Sequence, residues 1–167
     1  MKHVLIAVLA LAAAGCGRAA NDGPGGDAIA YEAVSRAGRS GWRIDKDGAV
    51  TLTGDGPGGV IRRFSVGTDN YLRIEGLMQR LARFRGTARG PKDYGAGVEM
   101  ACDSIVSDQV QVTVTWEAPG GQLSLARADF GCRSAQAAAI QADLQSATRL
   151  IEEWAAQAPV DSPRPGN

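Results

Sequence analysis

Cysteines, carboxylates and a single histidine are the side chains here whose types and spacing could do chemistry. The cysteines are Cys16, Cys102 and Cys132, and the histidine is His3. Glu99 and Asp103 fall on one face of a strand-like run and could pair as general acid and base; a solvated sheet face is the simpler account. Asp45-x-Asp47-Gly48 starts like a calcium loop but lacks the further acidic ligands, so it reads as a turn. Gly54-Asp55-Gly56-Pro57-Gly58-Gly59 spells G-x-G-x-x-G. A dinucleotide site needs a helix to begin there, and residues 60–66 read as a strand, so a hairpin loop is expected. Lys46 and Lys92 fall in loops. No metal site and no cofactor is expected.

The elements that must position Cys102 and Cys132 lie in residues 98–154. Val110, Val112, Val114 and Trp116 alternate with polar residues, the pattern of a strand with one buried face. Val98, Met100 and Cys102 alternate with Glu99, Ala101 and Asp103 as a second strand, with Ser107-Asp108 in the turn between them. Pro119-Gly120-Gly121 ends the strand that carries Trp116. Leu123 and Leu125 begin a third strand, and Phe130 breaks its phase, so a bulge is expected near residues 127–129. In such an antiparallel meander the outer strands are parallel, so Cys102 and Cys132 emerge at the same end. Ser134 then caps a helix in which Ile140, Leu144, Ala147, Leu150, Ile151 and Trp154 recur at helical spacing. A Cys102–Cys132 disulfide would close a loop of about thirty residues and stabilise by roughly 3–4 kcal/mol in the chain-entropy model. Two buried free thiols are the alternative.

The compartment bears on that choice. Residues 4–14 form an apolar run too short to span a bilayer, as in the h-region of a signal peptide. Ala13-Ala14-Gly15-Cys16 closes it and resembles the lipobox of bacterial lipoproteins, with alanine in place of the usual leucine. The resemblance implies that residues 1–15 are removed and that Cys16 is acylated. Ordinary cleavage near Ala14 is the alternative. If Cys102 and Cys132 pair, Cys16 is the cysteine left over. Gly17, rather than aspartate, follows it, and the resemblance then implies an outer-membrane protein facing the periplasm, an oxidising compartment. Loss of residues 1–15 takes His3 with it, which removes Ser-His-Asp and Cys-His catalysis and the commonest zinc ligand. Residues 16–27 form a flexible tether with a root-mean-square reach of roughly 20 Å. Residues 159–167, rich in proline, read as a frayed tail. Residues 28–158 are a normal length for one domain.

Within that domain Ile29, Tyr31 and Ala33 alternate as a first strand, with a short helix as the competing reading. Trp42, Arg43 and Ile44 form a second strand, Asp47-Gly48 a tight turn, and residues 49–53 a third. Residues 60–66 make a fourth. Thr68-Asp69-Asn70 offers N-caps for a helix over residues 68–84, with Tyr71, Ile74, Leu77, Met78, Leu81 and Phe84 as its apolar face. Residues 86–97 read as a loop. The order β-β-β-β-α-β-β-β-α indicates an α+β domain with a mainly antiparallel sheet and both helices on one face.

Four features resemble a group of small bacterial proteins that includes emfourin, an inhibitor of thermolysin-like metalloproteases. They are Tyr31 in the first strand, the Asp47-Gly48 hairpin, Phe64-Ser65-Val66 before a Leu-rich helix, and a final strand–helix pair. The paired cysteines are not part of that pattern. The resemblance implies inhibition of a protease.

Charge supplies the remaining lead. The chain is neutral overall, with 18 basic and 18 acidic residues. Yet Arg62, Arg63, Arg73, Arg80, Arg83, Arg85, Arg89 and Lys92 accompany only Asp69 and Glu75 in their segment, and the segment that follows is acidic. The two can neutralise each other inside one fold. Alternatively the arginines meet anionic lipid headgroups or an acidic protein. Nucleic acid is not an expected partner, since basic and aromatic residues are not interleaved. The leading reading is a lipid-anchored envelope lipoprotein with a non-catalytic binding or scaffold domain. A periplasmic protease inhibitor is the second reading, and a carboxylate-based hydrolase using Glu99 and Asp103 the third.

Overall fold

A computed structural model of the chain describes residues 27–54, 59–88 and 100–159. The first strands are β1 (Ala28–Ser35), β2 (Gly38–Asp45), β3 (Ala49–Gly54) and β4 (Val60–Ser65), followed by helix α1 (Thr68–Ala82). After α1 come β5 (Gly86–Ala88), β6 (Ser104–Ile105), β7 (Gln111–Glu117), β8 (Leu123–Asp129), β9 (Cys132–Arg133) and helix α2 (Ala135–Gln157). The main sheet has seven strands in the order β4-β3-β2-β1-β7-β8-β5, and β6 with β9 forms a separate two-stranded ladder. Every pairing is antiparallel. The fold is α+β, as the element order implied.

Side-chain alternation decides which face is covered. Ile29 lies opposite Ile44 on one side and Trp116 on the other, and Tyr31 lies opposite Trp42 and Val114. With Val50, Val112, Ala126 and Ala128 these residues form a single core with Tyr71, Ile74, Met78 and Leu81 of α1 and Ile140, Leu144, Ala147 and Ile151 of α2. Period two in the strands and period 3.6 in the helices thus bring both apolar faces together. Tyr31 and Trp42 stack with ring centroids 5.3 Å apart. The Trp42 indole N–H donates to the Thr148 hydroxyl of α2 at 3.2 Å, which satisfies its polar end. Burial raises the Tyr31 phenol above its ordinary pKa; its hydrogen bond with Thr148 acts the other way, and nearby Glu152 adds to the rise.

Several sequence expectations are corrected. Residues 100–103 form no strand, and Val98 lies outside the described residues. Met100 is buried in the core instead, and the chain pairs only as β6 with β9. The place beside β8 is taken by β5, in a segment read as loop. No bulge occurs near residues 127–129, because β7 and β8 stay in register out to Gln111 and Asp129. Phe130 breaks phase because the strand has already ended. The main sheet's register shift lies instead between Leu52 and Thr53, against β4. Ser134 does cap α2, accepting from the Ala137 N–H at 3.1 Å. The N-cap of α1 is Gly67, with no side-chain cap, and Asn70 donates to the Val66 carbonyl instead.

The turn at Asp47-Gly48 forms as expected, with Asp47 accepting from the Ala49 N–H at 3.0 Å. It also touches the start of α1. The Val66 N–H donates to the Gly48 carbonyl at 2.9 Å. A side chain on Gly48, at φ +87, would run into the backbone of Gly67. Gly48→Ala should therefore destabilise the domain by about 1–3 kcal/mol, read as a lower urea midpoint with an unchanged m-value.

Candidate functional site: the helix-free face of the sheet

Alternation that points Ile29 and Tyr31 at the helices points Ala30 and Glu32 the other way. The same holds for Arg39, Arg43, Thr53, Thr113, Thr115 and Glu117, which line a concavity of about 680 Å³ on that side. Gly41 makes the floor tight. Its neighbour in register is Glu32, and a Cβ at Gly41 would collide with the Tyr31 carbonyl oxygen of β1. Threonine methyls, Ala30 and Leu123 supply apolar lining.

Two ion-pair systems stand in this face. Arg39 pairs with Glu32 at 2.8 Å, and both are about half exposed. Arg43 bridges Glu117 at 2.7 Å and Asp45 at 2.9 Å. The Glu117 side chain is only 7% exposed, so its charge depends on the guanidinium. For Arg43, burial works against the charged form, but the two carboxylates outweigh it and raise the pKa. Asp45 is thus engaged in an ion pair and Asp47 in its turn. Ala28 and Leu125 are also buried on this face, outside the helix-covered core.

The arginine set divides. Arg62 donates to the Ala158 carbonyl at 2.6 Å, satisfying the C-terminal end of α2. Arg80 pairs with Asp143 of α2 at 3.3 Å. The Arg85 guanidinium lies 5.2 Å from the Trp116 ring centroid and donates to the Ala82 carbonyl. Arg63, Arg73 and Arg83 are exposed and make no ion pair among the described residues. Arg89 lies outside them. Arg63 points to the helix-free side, since its neighbours Arg62 and Phe64 point to the helices. Among the described residues the arginines are therefore spread over both faces, with Arg73, Arg80 and Arg83 all exposed on α1 or at its C-cap.

Cys102 and Cys132 are joined as a disulfide, with their sulfurs 2.03 Å apart. Cys16 lies outside the described residues. Glu99 does too, and Asp103 is exposed on a segment that is not a strand, so the strand face meant to pair these carboxylates does not form there. Gly54 donates its N–H to the Gly59 carbonyl at 2.9 Å, closing the glycine-rich segment as a hairpin between β3 and β4. Sequence reasoning missed the Arg43–Glu117 pair and the concavity. The pair joins residues far apart in the chain, and only the β1–β2 and β1–β7 registers bring them together.

Compared with known proteins, the chain matches no family model, no curated protein and no solved structure.

Removing Arg43 leaves the buried Glu117 carboxylate without its partner. Arg43→Ala should cost about 2–4 kcal/mol at neutral pH. Arg36→Ala, which removes an exposed pair with Asp108, should cost under about 1 kcal/mol. Urea denaturation of both variants checks the difference; equal losses would show that the buried pair has no special weight.

Proposed function

We propose that the protein is a lipid-anchored cell-envelope lipoprotein whose domain is a non-catalytic binding or scaffold module. The observation that carries the binding reading is the concavity on the helix-free face. It is large enough for a peptide segment or small ligand. Its charged groups Glu32, Arg39, Arg43 and Glu117 are committed to ion pairs with one another or with Asp45. Such an arrangement suits recognition by shape and hydrogen bonding better than proton transfer. The anchoring reading rests on Ala13-Ala14-Gly15-Cys16, on the apolar run before it, and on a disulfide-braced domain. No described helix is long and apolar enough to cross a membrane. Gly17 favours the outer membrane, facing the periplasm.

A second reading, inhibition of a periplasmic protease, is favoured by a different observation. The segment at residues 104–108 is exposed yet held on several sides. Asp103 N–H donates to the Arg133 carbonyl at 2.8 Å, and Val106 N–H to the Gly131 carbonyl at 2.9 Å. Cys102 is fixed to Cys132 just before it. A rigid, solvent-facing loop is the kind of element an inhibitor presents to a protease.

Cys16→Ser should abolish acyl labelling and move the protein from the membrane to the soluble fraction. Unchanged membrane association would refute lipid anchoring. For the binding reading, a photo-crosslinking residue at Thr113, inside the concavity, should give a partner adduct in native envelope. The same residue at Gln145, exposed on α2, should not. Adducts at both positions or at neither would count against the concavity as the binding face.

A further inference from the structure

Strand β4 is an edge of the main sheet: among the described residues it pairs with β3 and with no other strand. The Val66 N–H donates to the Gly48 carbonyl, toward β3. Along an antiparallel ladder, residues that bond to one neighbour alternate with residues that face the other way. Phe64 and Arg62 therefore turn their backbone groups to β3, as Val66 does. Arg63 and Ser65 turn theirs outward. Their N–H and C=O groups form an open row, the template on which a further strand pairs.

A groove of about 430 Å³ lies along this edge, between β4 and the C-terminal end of α2. Phe64, Val66 and Trp154 line it, all three partly buried against the core. Of its lining residues only Arg63 carries a charge. Arg63 is exposed and makes no ion pair among the described residues. Alternation sends the Phe64 side chain to the helix side and those of Arg63 and Ser65 to the other. The next strand position is therefore apolar on one face, beside Phe64 and Trp154, and positive on the other, beside Arg63.

We propose that the open edge of β4 takes an extended acidic peptide segment of a partner protein as a further strand, antiparallel like every other pair in the sheet. Backbone bonds to Arg63 and Ser65 hold it, and side chains at alternate positions select it. The peptide residues opposite Arg63 and Ser65 carry carboxylates, one of which the Arg63 guanidinium binds as a planar fork. The residues between them are aliphatic and lie against Phe64 and Trp154. Charge selects this occupant over a second copy of the chain. Laying β4 antiparallel on another β4 would set Arg62 and Arg63 against the same two arginines, and like charges opposite each other destabilise a strand pair. The groove shares no lining residue with the concavity on the helix-free face. The two sites therefore stand or fall independently.

Fluorescence anisotropy with a short labelled peptide of alternating valine and aspartate tests this on the detergent-solubilised full-length protein. The wild type should bind the peptide. Arg63→Glu should weaken binding at least tenfold and should bind instead the peptide in which lysine replaces aspartate. Ser65→Pro removes an outward N–H and spares the bonds to β3, so it should weaken binding in the same direction. Arg73→Glu, which changes an exposed arginine of α1, should leave binding unchanged. N-methylation separates strand addition from simple charge attraction. Methyl groups on the aspartate nitrogens, which face β4 in the antiparallel pairing, should abolish binding; methyl groups on the valine nitrogens, which face away, should not. No binding by the wild type, undiminished binding by Arg63→Glu, or undiminished binding of both methylated peptides overturns the proposal. Binding that appears only once residues 160–167 are removed overturns it too, because the edge then belongs to the chain's own C-terminus.

Discussion

Helices α1 and α2 cover one face of a seven-stranded sheet, and that asymmetric burial governs the rest of the molecule. Ile29, Ile44, Val114, Ile74, Leu144 and Ile151 are fully buried in the seam. Alternation along the strands then leaves no choice for the other face, which receives Glu32, Arg39, Arg43, Thr113, Thr115 and Glu117. The same register that builds the core therefore builds the concavity. A one-residue slip of β1 would turn Ile29 and Tyr31 outward and bring Ala30 and Glu32 into the seam, so the concave face and the core cannot vary independently.

On the helix-free face, charge is organised rather than excluded. Glu117 sits near the end of β7 with little solvent around it, and Arg43 reaches it from β2 across β1. Such a pair contributes little net stability against an apolar replacement, but losing one member is costly. It therefore ties the two halves of the sheet on one face while the apolar seam ties them on the other. Trp42 does a related task on the covered face, stacking on Tyr31 and donating to Thr148, so that β2 and α2 are linked through a polar contact as well as by packing.

Much of this was legible in the chain. Strict alternation through Val110, Val112, Val114 and Trp116 located β7, Asp47-Gly48 located the β2–β3 turn, and Ser134 located the start of α2. These signals are local, and the physics that produces them is local too. The errors arose where distant contacts decide. Val98, Met100 and Cys102 alternate as a strand would, yet Met100 packs into the core and Cys102 is held by Cys132, so residues 100–102 join no strand and only the Asp103 N–H bonds to β9. The three residues of β5 carry no pattern of their own and are strand only because β8 offers an edge. The seven arginines of one segment, by contrast, remain a candidate patch, Arg89 lying outside the described residues. In three dimensions Arg62, Arg80 and Arg85 serve a helix end, an ion pair and an aromatic ring, because sequence neighbours on a strand and on a helix point in different directions. The aliphatic pair Ile105-Val106, set among polar residues, was the one signal available for the exposed segment at residues 104–108.

Strand order carries a consequence for how the chain reaches this state. Within β1 to β4 each strand pairs with its neighbour in sequence, and β7 pairs with β8, whose other edge carries β5. These two local sets meet along one line, where β1 pairs with β7 and Tyr31 comes to lie opposite Val114. Closing that line means closing a long loop that contains all of α1, which is slow compared with forming either hairpin set. Before β7 joins, the first set has β1 as a bare edge, with the backbone groups on its β7 side unpaired. A bare strand edge of this length invites pairing with another chain. In the finished sheet β1 lies at the centre, the safest position for such a strand. The interval before β7 joins is thus the one in which the folding chain is most exposed to aggregation.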